Sequence, residues 1–329
     1  MDLFLAILFL ILGIVLVIFG GDWFVDSASW IAKAAKIPTF IIGATIVSLA
    51  TTMPELIVSI ISAADGLNDM AIGNAVGSVT ANTGLIMALS FIFLGALIDR
   101  KRQWPQIVML IGSATFLFLG SLGGALSIWA SIVLLVIFIL FMILNVLGAK
   151  KAGEKKELNV EETAPGGEVV AKAKTSGKEI AKNVIFFVLG AGGIVGGSQL
   201  LVTGGSNLAT IMGIPDRIIA ITLVAVGTSL PELITTITAI RKKESSLSIG
   251  NIVGANIIDL TLILPICSLV SCQPLPVSDM CLFVDMPVCL GLIAVALIPL
   301  FVKGKSFKLQ GAFMLLCYIA YITVSSILL

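Results

Sequence analysis

Two glutamates stand where an apolar sequence has least use for a charge. Glu55 lies in TTMPELIV (51–58) and Glu232 in TSLPELIT (228–235), each directly after a proline. Around the first, Ser48, Thr51, Thr52 and Glu55 run i, i+3, i+4, i+7 and so share one face of a helix. Ala225, Thr228, Ser229 and Glu232 repeat that spacing. Carboxylates, hydroxyls and carbonyls are hard oxygen ligands. They suit Ca2+, which takes about six to eight of them, and a smaller set of hydroxyl and carbonyl oxygens holds Na+. Pro54 and Pro231 each lack an N–H, and each ring clashes with the carbonyl four residues earlier, that of Ala50 or Gly227. Carbonyls in that turn, including those of Ser48 and Ala225, are expected to leave the helix axis and point at a cation. A charged side chain within a membrane span costs about 2.5–3.5 kcal/mol on insertion scales, so neither glutamate reads as decoration.

Each glutamate has a partner motif, GNAVGSVTAN (73–82) or GNIVGANIID (250–259). Asn74, Ser78 and Asn82 run down one helical face, as do Asn251, Ala255 and Asp259, while the small residues between them permit close helix approach. Glu55 and Glu232 are 177 residues apart, and residues 38–82 align with 215–259 at that offset without a gap, with 16 identities in 45 positions. The chain therefore reads as two copies of one unit. Four such helices would gather three carboxylates, several hydroxyls and an amide in mid-membrane. Asp22, Asp26 and Asp285 are not duplicated and read as interfacial residues.

What must position these groups is a bundle of membrane helices. Of 329 residues, 58% are hydrophobic and 12% charged, with mean hydropathy +1.13; soluble domains have about 45–50% and about 25%. We expect an all-α polytopic membrane protein of ten transmembrane helices, near 3–26, 38–64, 69–97, 105–121, 125–149, 184–211, 215–240, 246–270, 279–302 and 309–328, with helices 2 and 7 broken at their prolines. The units are then a first five-helix repeat (1–149, motif 38–82), a polar loop (150–183) too poor in apolar residues to fold alone, and a second repeat (184–329, motif 215–259). Five is odd, so the second copy enters the membrane inverted, as in secondary transporters, whose sites lie at the repeat interface. Of the 20 Lys and Arg, 19 fall on one side of this arrangement and only Arg217 on the other, placing the central loop in the cytoplasm and both termini outside.

Other classes fall away. There is no histidine, hence no usual zinc ligand or proton shuttle, no nucleophile–base motif of an intramembrane enzyme, and no cofactor is expected. No basic stripe suggests nucleic acid. The five cysteines show no CxxC spacing and read as packing, although Cys272 and Cys281 flank a loop and could pair in an oxidising compartment. The first apolar stretch lacks a basic n-region and a cleavage site, and is expected to be a retained span. Trp23 and Trp104 read as interfacial anchors. We expect a monomer surrounded by lipid in the plasma membrane.

At TTMPEL with GNAVGSVTAN, and GTSLPEL with GNIVGANIID, the sequence resembles the cation/calcium exchanger superfamily, specifically its prokaryotic sodium/calcium exchangers. The resemblance implies an antiporter exchanging Na+ for Ca2+ by alternating access, electrogenic if three Na+ exchange for one Ca2+. Glu55 and Glu232, with Thr51, Thr228 and nearby carbonyls, would hold Ca2+. The same glutamates, with the Ser48 and Ala225 carbonyls, Thr52, Ser78, Thr228 and Ser229, would hold Na+. Asn82 and Asp259 would line the middle of the cluster, and helices 1 and 6 would slide against the rest. Ala255 departs from this pattern, standing where the first repeat has Ser78. An acid at 259 opposite an amide at 82 is also the arrangement of potassium-dependent exchangers. Proton/calcium exchange on the same fold, or a passive cation channel, are the alternative functions.

Overall fold

The computed structural model describes residues 3–95, 100–162, 176–213 and 227–328; side chains at 68–69, 100–102, 152–162, 326 and 328 are not described. The chain is helical almost throughout. The uninterrupted apolar N-terminal stretch forms α1 (Leu3–Ala34). It stops where Lys36 adopts a positive φ of 58° and Pro38 follows. The next span is broken into α2 (Thr39–Thr51) and α3 (Met53–Ala64), bent by 47°. Then come α4 (Met70–Phe93), α5 (Arg100–Gly120), α6 (Ile128–Glu162), α7 (Gly177–Ile211), α8 (Leu230–Lys242), α9 (Ser245–Ser271), α10 (Cys281–Lys303) and α11 (Lys308–Leu328).

Among the described residues, eight helices are long and apolar enough to cross a membrane, and the bent pair α2–α3 makes a ninth. This is a multi-pass membrane protein. The remaining expected span, 215–240, falls in part on 214–226, outside the described residues; α8 is its described portion. The central segment differs from expectation. Helix α6 runs on to Glu162 and α7 begins at Gly177, so helix invades the 150–183 stretch from both sides. Its Ala, Lys, Glu and Leu are good helix formers, and extending an existing helix needs no new nucleus.

Helices α4 and α9 are mostly buried, whereas few residues of α1, α6, α7 and α11 are buried. The core thus lies around the two glycine–asparagine helices, with apolar side chains such as Val76, Val79, Ile252 and Ile257 packed between them and their neighbours. Helix α1 packs along α7, where glycines let the backbones meet: a β-carbon at Gly20 would lie 2.9 Å from Ile194 N. Two residue pairs, Ala125–Pro276 and Leu126–Leu275, form a short antiparallel ribbon between β1 (Ala125–Leu126) and β2 (Leu275–Pro276). It ties the loop after α5 to the loop after α9, so both lie on one face, as the span alternation requires. On the opposite face Lys242 of α8 meets α1, with Nζ 2.7 Å from Asp26 Oδ1 and 3.4 Å from Asp22 Oδ1. Those two aspartates therefore have partners at the end of the bundle. Asp285 is partly buried and accepts a 2.8 Å bond from the Tyr321 hydroxyl, between α10 and α11. Trp23 and Trp104 are partly exposed. Cys272 is exposed, Cys281 is buried, and no disulfide joins them.

Candidate functional site

The break between α2 and α3 falls at Thr52 (φ −82°, ψ 0°). Pro54 occupies the first turn of α3, where its missing N–H does least harm, and the Ala50 carbonyl loses the donor it would have had four residues on. The Ser48 carbonyl behaves differently from expectation. It accepts the Thr52 amide at 2.9 Å and the Thr51 hydroxyl at 3.3 Å, so it closes the last turn of α2 instead of pointing away from it. The second break has the same local form, with Ser229 at φ −85°, ψ 6° and Pro231 in the first turn of α8. Ala225, the other expected carbonyl ligand, lies outside the described residues.

The two halves interlock through glycine. Helix α2 lies on α9 so closely that a β-carbon at Gly250 would overlap the Phe40 carbonyl, and one at Gly254 would stand 2.6 Å from both Ala44 O and Ser48 Oγ. This packing brings residues 174 or more positions apart together. Thr52 Oγ1 donates to Glu232 Oε1 at 3.2 Å, and Thr51 Oγ1 to Asn251 Oδ1 at 3.2 Å. Ser229 stands beside Glu55, and Thr51 beside Glu232. Glu55, Glu232 and Asp259 are within electrostatic reach of one another.

All three carboxyl groups are buried, with Asp259 and Glu232 0% exposed and Glu55 1%. Yet both oxygens of Glu55, both of Asp259 and Oε2 of Glu232 have no hydrogen-bond partner, and the same holds for Asn82 Oδ1, Ser229 Oγ, Thr236 Oγ1 and Asn251 Nδ2. A buried polar group left unpaired costs about 1–3 kcal/mol, more if charged, so a cluster of them is a surface shaped for a ligand. Among the described residues no three acidic or cysteine side chains converge closely enough to hold a metal by themselves. Hydroxyl, amide and carbonyl oxygens must complete any ion's shell; of the residues expected from the sequence, Ser48, Thr51, Thr52, Ser78, Asn82 and Ser229 are buried. Thr228 lies at the second break and is half-buried.

Two features escaped the sequence. Turns of π-helix begin at Asn82 (Asn82–Met87) and at Asp259 (Asp259–Ile263), again 177 residues apart. Such bulges are frequent at functional sites; here each starts on the polar residue it presents. Second, amides brace the breaks. Asn74 Nδ2 donates to Glu55 O at 3.3 Å and Ser59 Oγ at 2.9 Å, while Asn256 Nδ2 donates to Thr83 Oγ1 at 2.9 Å across the two central helices. The duplication of Asn74 as Asn251 and the polar pair Ser59 and Thr236 at the same offset were the available signals.

A family model described as sodium/calcium exchanger protein matches residues 5–147 and 182–327. The chain belongs to the sodium/calcium exchanger protein family. It is a transporter, not an enzyme. Among curated proteins it is 35% identical to the sodium/calcium exchanger MaX1 of Methanosarcina acetivorans, over 96% of this chain and 97% of that one. It is 30% identical to the uncharacterized membrane protein MJ0091 of Methanocaldococcus jannaschii, over 89% and 91%. Among solved structures, the sodium-calcium exchanger NCX_Mj soaked without Na+ and Ca2+ superposes with a TM-score of 0.82 at 28% identity, covering 99% of this exchanger and all of that chain.

Proposed function

We propose that this exchanger is a secondary antiporter that moves Na+ against Ca2+ by alternating access, with both ions as cargo and no cofactor. The observation that carries the proposal is the set of buried, unpartnered oxygens on Glu55, Glu232, Asp259 and Asn82, where the α2–α3 break meets α8 and α9. Membership of the family and the match to NCX_Mj agree with it. In this reading the architecture is two inverted five-helix repeats, 1–149 and 184–329, joined by a cytoplasmic segment within 150–183, with both termini outside the plasma membrane and the protein working as a monomer. Glu55 and Glu232 bind either ion. Thr51, Thr52, Thr228, Ser229, Ser78, Asn82 and Asp259 supply the remaining side-chain oxygens. The Ser48 carbonyl joins them by giving up one of its two donors, the Thr51 hydroxyl or the Thr52 amide, and the Ala225 carbonyl is its counterpart in the second repeat.

The test is Ca2+ uptake into Na+-loaded proteoliposomes, with K+ or a pH gradient substituted in parallel and Glu55→Gln as the control. The expected result is uptake that requires internal Na+, responds to voltage and vanishes in the variant. Uptake driven by the pH gradient alone, indifferent to Na+, would replace this reading with proton/calcium exchange.

A further inference from the structure

A groove of about 800 Å³ runs along the outer side of the α1–α7 pair, away from the ion site. Its walls are Leu16, Phe19 and Trp23 on α1 and Leu189 on α7, and its floor is Gly20 and Gly193. The groove exists because those glycines bring the two backbones together without side chains between them. In a bilayer such a surface meets acyl chains. One end, however, carries more than apolar surface. Trp23 meets Phe186 edge-on, with ring centroids 5.2 Å apart, and Lys182 Nζ lies 5.9 Å from the centre of the Phe186 ring. Lys178 stands one turn earlier on the same helical face. Both lysines are exposed, and two acids of the same helices have other partners. Asp26 pairs with Lys242 at 2.7 Å, and Glu179 accepts the Trp30 indole N–H at 3.3 Å. Among the described residues neither lysine is paired with a carboxylate.

An apolar slot ending in an indole and two free cations has the chemistry of one end of a phospholipid. We propose that it binds an anionic phospholipid of the leaflet in which α1 ends and α7 begins, with an acyl chain on the glycine floor and the phosphate at Lys182, Lys178 and the Trp23 indole N–H. The bound lipid spans both helices and clamps them as one body. This site needs only that the chain sits in a bilayer and stands apart from any assignment of the transported ions.

The chain has four tryptophans, so W30F/W104F/W129F leaves Trp23 as the only emitter. Its fluorescence is measured in vesicles containing either phosphatidylglycerol or phosphatidylcholine brominated near the headgroup end of one chain, since bromine quenches tryptophan on contact. The expected result is half-quenching at lower phosphatidylglycerol than phosphatidylcholine, by about fivefold for each lysine. K178Q/K182Q abolishes that preference. A β-carbon at Gly192, which also lines the groove, would meet no protein atom within 4 Å, so G192L extends into the slot and weakens quenching by both lipids. Equal quenching by the two lipids, a preference that survives K178Q/K182Q, or quenching unaltered by G192L would each overturn the proposal. Quenching by neither lipid, with the protein dimeric, would give the groove to a second copy of the chain.

Discussion

Gly254→Ala adds one methyl group at the crossing of α2 and α9, and the structure says what that methyl meets. Its β-carbon would lie 2.6 Å from the Ala44 Cα, the Ala44 carbonyl oxygen and the Ser48 hydroxyl. Restoring ordinary contact near 3.5 Å requires roughly 1 Å of separation between the helices, and backbone on one side leaves no flexible side chain to absorb it. Overpacking of this kind costs about 1–3 kcal/mol. The question is which state bears the cost. The end of α2 carries Thr51, which donates to Asn251 of α9 across the same crossing, and Thr52 beside it donates to Glu232 of α8. Moving α2 by 1 Å breaks both bonds and should fall on the ion-bound form, weakening Ca2+ binding by about 5- to 150-fold, the equivalent of 1–3 kcal/mol. The assay is Ca2+-dependent thermal stabilisation in detergent, since a ligand that binds only the folded protein raises its stability with concentration, together with half-saturating Ca2+ for uptake. Gly291→Ala is the control, because a β-carbon there meets nothing within 4 Å and a helical Gly→Ala change adds up to about 1 kcal/mol of stability. If Gly254→Ala binds Ca2+ like the parent, or loses stability equally with and without Ca2+, the crossing does not set the ion site and this reasoning fails.

Thr52→Val removes the hydroxyl that donates to Glu232 Oε1; hydrogen bonds to charged groups are worth about 1.5–3 kcal/mol, and the 3.2 Å length places the expected loss of Ca2+ affinity near tenfold by titration calorimetry. Ala255→Ser gives the second repeat the hydroxyl that Ser78 gives the first, and the half-saturating Na+ of exchange should fall; a lower melting temperature with unchanged Na+ dependence would show that the hydroxyl is buried without an ion to meet. Asp259→Asn removes a buried, unpartnered carboxyl, so the ion-free protein should melt higher while its stabilisation by Ca2+ shrinks, both read in one thermal titration series.

The duplicated PEL and GN motifs point to the candidate site because transport chemistry is written in residue types: an acid after a proline has no cheap alternative explanation in an apolar span. What spacing could not convey was backbone register. The i, i+4, i+8 run from Asn74 to Asn82 lies on regular helix, but a π turn begins at its last member and shifts the register of the residues that follow; no proline marks that turn. Tertiary partners were equally silent. The Ser48 carbonyl was expected to be freed by Pro54, but the Thr52 amide and Thr51 hydroxyl capture it, because the break falls after Thr51 and leaves the last α2 turn intact. The lysine-rich stretch after residue 150 reads as tether by composition, yet α6 carries its helix through to Glu162, for once a helix is formed each added residue costs little.

The charges at the crossing bear on why this exchanger would exchange and not leak. A protein that alternates access must carry its empty site across the membrane or be barred from doing so. Here the buried carboxyls have a donor only at Glu232 Oε1 among the described residues, and an uncompensated buried charge costs several kcal/mol. Cation binding removes that penalty, so the loaded forms pass and the empty form is held back. If three Na+ exchange for one Ca2+, the accounting depends on Asp259. If it is ionised, three carboxylates are neutralised by three Na+ but left with one net negative charge by Ca2+, and the membrane potential, about 2.3 kcal/mol per elementary charge per 100 mV, acts on the Ca2+ step. If it is protonated, Ca2+ balances Glu55 and Glu232, and the potential acts on the Na+ step, where three cations leave one positive charge over. Exchange of three for one moves one charge in either case. The protonation state of one aspartate, 177 residues from an asparagine that cannot ionise, decides which ion's step the voltage drives.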